Sequence, residues 1–278
     1  MRTSIEIMTS VSDETYYSRF SSQFLGSLKT ATENVPLCCD VDFILLIGVL
    51  KSGLTEEFKD KLEFQVDLYL KDRVKLHIVA LDSIPGRNSL LYSNSIQASY
   101  YTFIDFDDEV HPHYFKNFLD AVKANKTWDY IIGHAVRKDG DTLIPKDYLK
   151  WRPTTSMSKF FLNGEFGNNI WGRFFSDSLI QRILKSGNYS LQDNTGFGEE
   201  WNLHNQLFFS ALYLGSCDSL YYWNYGDRNT LSKTIDVSVA KENIEKALEF
   251  VPDRYKEPYR ERYEKLLDLC LKSSKEEK

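Results

Sequence analysis

Cysteine and long apolar runs are scarce in this sequence, and both absences restrict the class of protein. Its four cysteines comprise the adjacent Cys38 and Cys39 and the isolated Cys217 and Cys270. This spacing is neither that of a CxxC zinc site nor that of a regular disulfide framework, so we expect reduced, structural thiols. The longest apolar run, Phe43 to Leu50, is far shorter than the roughly 20 residues that a membrane-spanning helix requires. It indicates a buried strand, and no transmembrane segment is predicted.

An excess of positive charge and an export signal are also missing. The 278 residues include 34 Lys and Arg against 40 Asp and Glu, a formal net charge of −6. A surface that binds a nucleic-acid backbone needs clustered Lys and Arg, so nucleic acid is not the expected main partner. The start, Met1 to Val11, alternates polar and apolar residues and lacks the apolar core of a signal peptide. We therefore expect a cytoplasmic protein.

Strand-like and helix-like segments alternate along the first half of the chain. Five runs rich in branched and aromatic residues have the length of strands: Ile5 to Val11, Phe43 to Leu50, Val74 to Leu81, Tyr100 to Ile104 and Tyr130 to Val136. Between the first three runs, Tyr17 to Ala31 and Glu56 to Leu70 carry apolar residues at helical spacing. This order predicts an α/β fold with a mostly parallel central sheet flanked by helices.

Acidic residues cluster directly after the fourth predicted strand, at Asp105, Asp107 and Asp108. In an open α/β sheet, ligands bind at the carboxyl ends of the strands. Carboxylates this close repel one another unless a cation offsets them, and oxygen ligands suit Mg²⁺ or Mn²⁺, which would bridge to a diphosphate. The alternative is that these acids cap the following helix. Their number favours the metal.

Three motifs resemble those of the GT-A glycosyltransferases, in particular the large family 2 class. Phe103-Ile-Asp105-Phe-Asp107-Asp108 looks like the family's strand-end DxD signature, and Gly86-Arg87-Asn88 is similar to its Ala-Arg-Asn element. Gly198-Glu199-Glu200-Trp201 stands where the family carries an acidic pair that opens a helix.

Two further segments extend the resemblance, which runs in the family's order over residues 1–234. Asn168-Asn169-Ile170-Trp171-Gly-Arg173 resembles the segment that closes over the donor. Leu220-Tyr221-Tyr222-Trp223, followed by Thr230-Leu-Ser232-Lys233, looks like the aromatic strand and flexible loop. The resemblance implies a nucleotide-sugar-binding half at 1–110 and an acceptor-binding half at 111–234.

A helical extension is predicted after this domain, over residues 235–278. Two apolar stripes at helical spacing predict two helices: Ile244, Ala247, Leu248 and Val251, then Tyr263, Leu266, Leu267 and Cys270. We expect them to pack on the catalytic domain or on a second copy of the chain, as in a homo-oligomer. The irregular, aromatic segment 145–161 is either an acceptor-binding excursion or a long loop.

The resemblance also implies a chemistry. It is that of a metal-dependent, inverting glycosyltransferase that moves a sugar from a nucleotide-diphosphate donor to a hydroxyl of a glycan or a lipid-linked saccharide. Glu200, with Glu199 as its rival, would be the base that deprotonates the acceptor hydroxyl. Asp107 would bind Mn²⁺ or Mg²⁺, assisted by Asp105 and Asp108. The residues implied in donor binding are Asp105, Arg87, Asn88, Arg173, Arg228 and Lys233.

Departures from the family pattern leave some assignments open. The second acid of the pair is Glu200 where Asp is commoner, although the start of a helix favours its anionic form. The family's Asp after the second strand is replaced by Lys51-Ser52-Gly53, with Asp82 as a substitute. No His follows His204, so a metal would rest on the aspartates, the diphosphate and water.

Other functions stay in view. The same chemistry could act on a protein or on a modified nucleic-acid base. A nucleotidyltransferase would show a Gly-rich loop after the first strand, but Thr9 to Asp13 contains no glycine. A non-catalytic GT-A-like domain is the alternative of another class, and a donor-hydrolysis assay separates it from an enzyme. Trp201 is a candidate for stacking on the acceptor.

Replacing Asp107 by Ala is expected to abolish metal-dependent binding of a nucleoside diphosphate and to leave the fold intact, because the carboxylate would serve as a ligand and not in packing. Titration of the diphosphate with Mn²⁺ and with EDTA measures this. Equal affinity under the two conditions would contradict the metal assignment.

Overall fold

In the part of the chain that the structure describes, helices surround one nine-stranded sheet. The computed structural model describes residues 2–36, 38–93, 96–139, 142–145, 169–224 and 235–276. The strands are β1 (Thr3–Val11), β2 (Val41–Leu50), β3 (Val74–Leu81), β4 (Tyr100–Phe103), β5 (Glu109–Val110), β6 (Tyr130–Asp139), β7 (Thr142–Pro145), β8 (Arg173–Ser176) and β9 (Leu214–Asn224). The helices are α1 (Glu14–Glu33), α2 (Glu56–Leu70), α3 (Arg87–Tyr92), α4 (Tyr114–Ala124), α5 (Asp177–Ser186), α6 (Trp201–Ser210), α7 (Val237–Glu249) and α8 (Asp253–Glu276).

The sheet has the order β3-β2-β1-β4-β8-β6-β9-β5, with β7 paired to β6. The first four strands in this order are parallel. Strand β8 is antiparallel to both β4 and β6, while β9 runs parallel to β6. The predicted fold class, a central sheet flanked by helices with helices at the C-terminus, is confirmed. Its parallel part is the half built by the β-α-β units that the sequence indicated.

Two apolar layers cover the two faces of the sheet, because side chains alternate along a strand. On β2, Phe43, Leu45 and Ile47 point into the layer formed with α1, α2 and α4. Ile44 and Leu46 point into the opposite layer, formed with α3, α5 and α6. A strand that is buried on both faces reads as a continuous apolar run, which is why the run from Phe43 to Leu50 is the longest in the chain.

Side-chain caps set where the helices begin. Asp13 accepts a hydrogen bond from the Tyr16 backbone N–H at 3.0 Å, so α1 starts earlier than the apolar pattern predicted. Thr55 caps α2 in the same way, accepting from the Phe58 N–H at 3.1 Å, and α2 has its predicted bounds.

The C-terminal helices pack on α6, as predicted for their apolar stripes. Trp201 of α6 stacks on Tyr263 of α8, with ring centroids 4.3 Å apart and an interplanar angle of 9°. Asn205 Nδ2 donates to the carbonyl of Ala247 at 2.8 Å and to the Tyr263 hydroxyl at 2.9 Å. Trp201 is only 6% exposed. The expectation that it stacks on an acceptor is therefore wrong, since Tyr263 already covers its ring.

Some parts of the architecture were not predicted or lie outside the described ranges. The short strand β8 and the helix α5 had no predicted counterpart, and β9 extends well before the aromatic run at Leu220. The aromatic segment at 145–161 falls almost wholly outside the described residues. The division between 1–234 and 235–278 stays a prediction. None of the helices that the structure describes combines the length and apolarity needed to cross a membrane.

Tyr263→Ala is expected to lower the free energy of unfolding by about 3 kcal/mol or more, the usual cost of truncating a large buried aromatic side chain. Tyr213→Ala is the matched control, because Tyr213 is 56% exposed and its removal should change stability by no more than about 0.5 kcal/mol. Urea denaturation measures both. If Tyr263→Ala lost as little stability as the control, the Tyr263 side chain would not contribute to the core.

Candidate active site

The acidic loop, defined as residues 105–108, follows β4 at the centre of the sheet. Phe106 anchors it, because its ring packs in the core against Phe24 at 4.7 Å and Tyr17 at 5.2 Å between centroids. With Phe106 pointing inward, the neighbouring Asp105 and Asp107 stay partly exposed. The alternation of acid and aromatic residues thus presents two carboxylates at the strand end.

Strand β9 holds the acidic loop through Tyr221 and Asn224. The Tyr221 hydroxyl accepts from the Asp105 backbone N–H at 3.0 Å and donates to Asp108 Oδ2 at 2.6 Å. The Asn224 backbone N–H donates to Asp108 Oδ1 at 2.9 Å, and Asn224 Nδ2 donates to the Asp107 carbonyl at 2.8 Å. Asp108 is fully buried, so its carboxylate holds the loop from the side of the protein core.

Arg87 connects the acidic loop to the glutamate pair. It opens α3 directly after Gly86, which takes a left-handed conformation at φ 59°. Its Nη1 lies 2.9 Å from Asp105 Oδ1 and its Nε lies 3.3 Å from Glu199 Oε1. The side chain is nine-tenths buried, with 10% exposed. A buried guanidinium with two carboxylate partners is a strong, directional connection.

A tight turn presents the glutamate pair. Gly198 has a φ of 78°, and a Cβ there would lie 2.7 Å from Trp201 Cε3, so both conformation and space require glycine. Glu200 is the residue that precedes the first turn of α6, where the sequence pattern had placed it inside the helix. Its Oε2 accepts from the Ile170 backbone N–H at 2.9 Å.

The charges in this cluster shift one another's pKa values. Burial raises the pKa of Glu199 and of Glu200, and the adjacent Arg87 opposes that rise without cancelling it. Burial alone would lower the pKa of Arg87, but Asp105 and the two glutamates raise it well above its ordinary value. The sequence suggested that the start of the helix would favour the glutamate anion and so lower its pKa. In the structure the effect of burial on these pKa values is larger and has the opposite sign.

The remaining predicted donor contacts have different surroundings. Asn88 is buried, and its Nδ2 donates to the Gln192 carbonyl at 2.7 Å. Arg173 is 1% exposed, and its Nη1 donates to the Gly133 carbonyl at 3.1 Å. Both side chains donate hydrogen bonds to backbone carbonyls of the protein in this structure. Their contact with a donor stays a prediction. Arg228 and Lys233 lie outside the described residues.

Oxygen ligands for a divalent cation are present at the acidic loop, but the three aspartates do not converge. Asp105 faces Arg87, and both oxygens of Asp108 accept hydrogen bonds in the core. Within the described ranges, no three His, Cys, Asp or Glu side chains are arranged to hold a metal ion. An ion at Asp107 would take its other ligands from diphosphate and water, as Mg²⁺ does in nucleotide sites. Metal binding itself stays a prediction.

Two supporting residues escaped the sequence analysis. Tyr221 was noted only as part of an aromatic run, and the period-2 pattern of a strand gives the sole hint that it points inward. Asp193 accepts from the backbone N–H groups of Asn88 and Ser89 at 2.7 and 3.3 Å, which fixes the start of α3. Asp82, the proposed substitute for the missing family aspartate, pairs with Lys51 at 2.6 Å.

Tyr221→Phe is expected to lower the free energy of unfolding by about 1.5–3 kcal/mol, the range for a hydrogen bond to a charged group, because the hydroxyl joins the Asp105 N–H to the Asp108 carboxylate. The neighbouring Tyr222→Phe is the control, since that side chain lies partly exposed. Thermal unfolding of both variants decides it. A Tyr221→Phe protein as stable as the control would mean that the hydroxyl does not hold the loop.

Solved structures share the fold, although no protein-family model and no curated protein matches the sequence. Residues 1–349 of TarS from S. aureus in complex with UDP-GlcNAc align with a TM-score of 0.63 and 11% identity, over 95% of this chain and 71% of that one. The UDP complex gives 0.63 and 10% identity, over 95% and 70%. A further TarS structure gives 0.52 and 12% identity, over 94% and 54%. At this identity the likeness establishes the fold alone, a GT-A-like fold.

Proposed function

We propose that this chain transfers a sugar from a nucleotide-diphosphate donor to a hydroxyl of a glycan or a lipid-linked saccharide. Two findings support the proposal. The fold is shared with TarS, whose solved structure holds UDP-GlcNAc. The acidic loop lies at the carboxyl end of a central strand, where α/β sheets bind their ligands. UDP-GlcNAc is therefore the first donor to test.

The position of Arg87 between Asp105 and Glu199 carries the proposal. Its two ion pairs, at 2.9 and 3.3 Å, bring the loop that would hold the donor against the pair that would activate the acceptor. A transferase needs its two substrates held within reach of each other, and such positioning supplies a large part of the rate enhancement. If the acidic loop and the glutamate pair lay far apart on the surface, they could not act on two substrates that react with each other.

Glu200 is the better base of the two glutamates. Glu199 shares an ion pair with Arg87, so protonating it would weaken a buried interaction. Glu200 makes no ion pair within the part of the chain that the structure describes, and its Oε2 accepts from a backbone N–H. In the proposed reaction its carboxylate takes the proton of the acceptor hydroxyl while that oxygen bonds to the anomeric carbon. The bond from that carbon to the diphosphate breaks, and the configuration inverts.

The leaving diphosphate requires positive charge. A Mn²⁺ or Mg²⁺ ion, when bound through Asp107, would neutralise the charge that develops on the leaving oxygen. Arg87 orients Asp105 through their ion pair. Arg228 and Lys233 are proposed to contact the phosphates. Both oxygens of Asp108 accept hydrogen bonds from Tyr221 and Asn224. We therefore assign Asp108 to stabilising the loop and not to binding the ion.

Thermal stabilisation by nucleotide sugars tests donor binding directly. A ligand at 100 times its dissociation constant stabilises the folded state by about 2.7 kcal/mol. We expect a shift with UDP-GlcNAc or another nucleotide sugar in the presence of Mn²⁺ and a smaller one with EDTA. Release of the nucleoside diphosphate from the stabilising donor then distinguishes an enzyme from a domain that only binds. No shift with any donor would overturn the proposal.

Glu200→Gln is expected to reduce turnover by about 10²-fold or more, in line with the usual contribution of a general base, and to leave donor affinity nearly unchanged. In the wild-type protein, the raised pKa of Glu200 should place the acid limb of the pH profile of kcat/KM, which reports the free enzyme, above the value near 4.3 of an exposed glutamate. Activity rises with pH through that limb, because only the carboxylate accepts a proton.

Glu199→Gln serves as the matched control for this prediction, since it removes one charge from the same turn. If Glu199→Gln lost activity and Glu200→Gln kept it, Glu199 and not Glu200 would be the base. Full activity in both variants, or a product with the donor's configuration by NMR, would exclude the inverting mechanism.

A further inference from the structure

The glutamate turn, residues 195–200, has no helix or strand to satisfy its carbonyl groups up to Gly198. Gly196 and Gly198 both take left-handed conformations, at φ 77° and 78°, so successive carbonyls point in different directions. The Gly196 carbonyl accepts from the Glu199 N–H at 3.2 Å, and the Gly198 carbonyl accepts from the Trp201 N–H at 3.1 Å. The carbonyls of Thr195 and Phe197, an exposed and a half-buried residue, take their hydrogen bonds from another element of the fold.

Asn243 of α7 supplies both missing partners. Its Nδ2 donates to the Thr195 carbonyl at 2.9 Å and to the Phe197 carbonyl at 2.9 Å, so both amide protons are used. The residue is 2% exposed, and Val239 one turn earlier lies against Gly196. The helix therefore contacts the turn and binds its backbone at two carbonyls, on either side of Gly196.

A buried asparagine at this position calls for an explanation. Asn is a poor residue for a helix interior, and burying its amide is costly unless hydrogen bonds compensate. The neighbouring buried positions of the same helix are apolar: Ala240, Ile244, Ala247 and Leu248. An apolar residue at this position would remove the amide donor from two partly buried carbonyls of the glutamate turn.

We propose that Asn243 is a positioning residue that fixes the glutamate turn and thereby aims Glu199 at Arg87 and Glu200 at the Ile170 N–H. The catalytic part of this inference rests on the proposed function. Asn243 itself touches neither carboxylate, and it acts through the backbone of residues 195–198. The consequence is that α7, which lies beyond the part of the sequence that resembles a glycosyltransferase, completes the site.

Amide hydrogen exchange in Asn243→Ala tests the structural part without any substrate. Protection of the Glu199 and Trp201 N–H groups should fall by about tenfold or more, because the turn that holds them loses two partly buried hydrogen bonds. The matched control is Asn205→Ala, which removes an equally buried asparagine from the interface of α6 with α7 and α8 but does not contact the turn. Its loss of thermal stability should be similar, with the two amides still protected.

Kinetics with the donor identified by the stabilisation screen test the catalytic part. Asn243→Ala should lower kcat by about tenfold or more with less than about a twofold change in the donor KM, because misplacing a base affects the chemical step. Asn205→Ala should keep kcat. Asn243→Ser, which retains one hydroxyl donor, should fall between wild type and Ala, and it replaces Asn243→Ala if that variant does not fold.

Each outcome decides a separate claim. Equal amide protection in Asn243→Ala and Asn205→Ala would overturn the inference, and so would a loosened turn with unchanged kcat. If wild-type protein turns over no nucleotide sugar, the proposed function fails, and the exchange measurement alone decides whether Asn243 fixes the turn.

Discussion

The site depends on one buried cation. Arg87 is only 10% exposed and contacts a carboxylate from each of two chain segments that are far apart in sequence. Such a group is costly to bury, and removing one partner of a buried pair destabilises a protein by about 3–5 kcal/mol because the other charge stays uncompensated. Each of Asp105 and Glu199 is therefore held by the same guanidinium. The position of the acidic loop and that of the glutamate turn cannot be set independently.

Two supports, one on each side, keep these segments against Arg87. On the acidic side, the Tyr221 hydroxyl on β9 bridges the Asp105 N–H and the Asp108 carboxylate. On the glutamate side, the Asn243 amide on α7 bridges two carbonyls of the turn. Both use a single polar group, buried in an apolar layer, to hold irregular backbone. A polar group in that setting is favourable only in one geometry, so it specifies position more than it adds stability.

The sequence allowed the parallel half of the sheet, the acidic loop and the glutamate pair to be predicted, because each has a local signal. Runs such as Phe43 to Leu50 indicate burial on both faces, and acids after a strand are typical of the end at which a sheet binds ligands. The supports could not be predicted, because their partners are distant in sequence: Asp105 is far from Tyr221, and Thr195 is far from Asn243. The burial of Arg173 could not be predicted for the same reason, since nothing local reveals that β8 enters the sheet.

The balance of charge in the cluster relates the proposed base to the proposed donor site. Three carboxylates, Asp105, Glu199 and Glu200, surround Arg87, and Arg173 adds a weaker positive influence on Glu200. The excess negative charge can be offset by a proton or by a cation. The raised pKa values of the glutamates are the first solution. A divalent ion arriving with the diphosphate would be the second, and its field would lower the glutamate pKa values again. In the proposed enzyme, a cation bound at Asp107 would therefore favour the carboxylate form of Glu200, which is the form that accepts a proton.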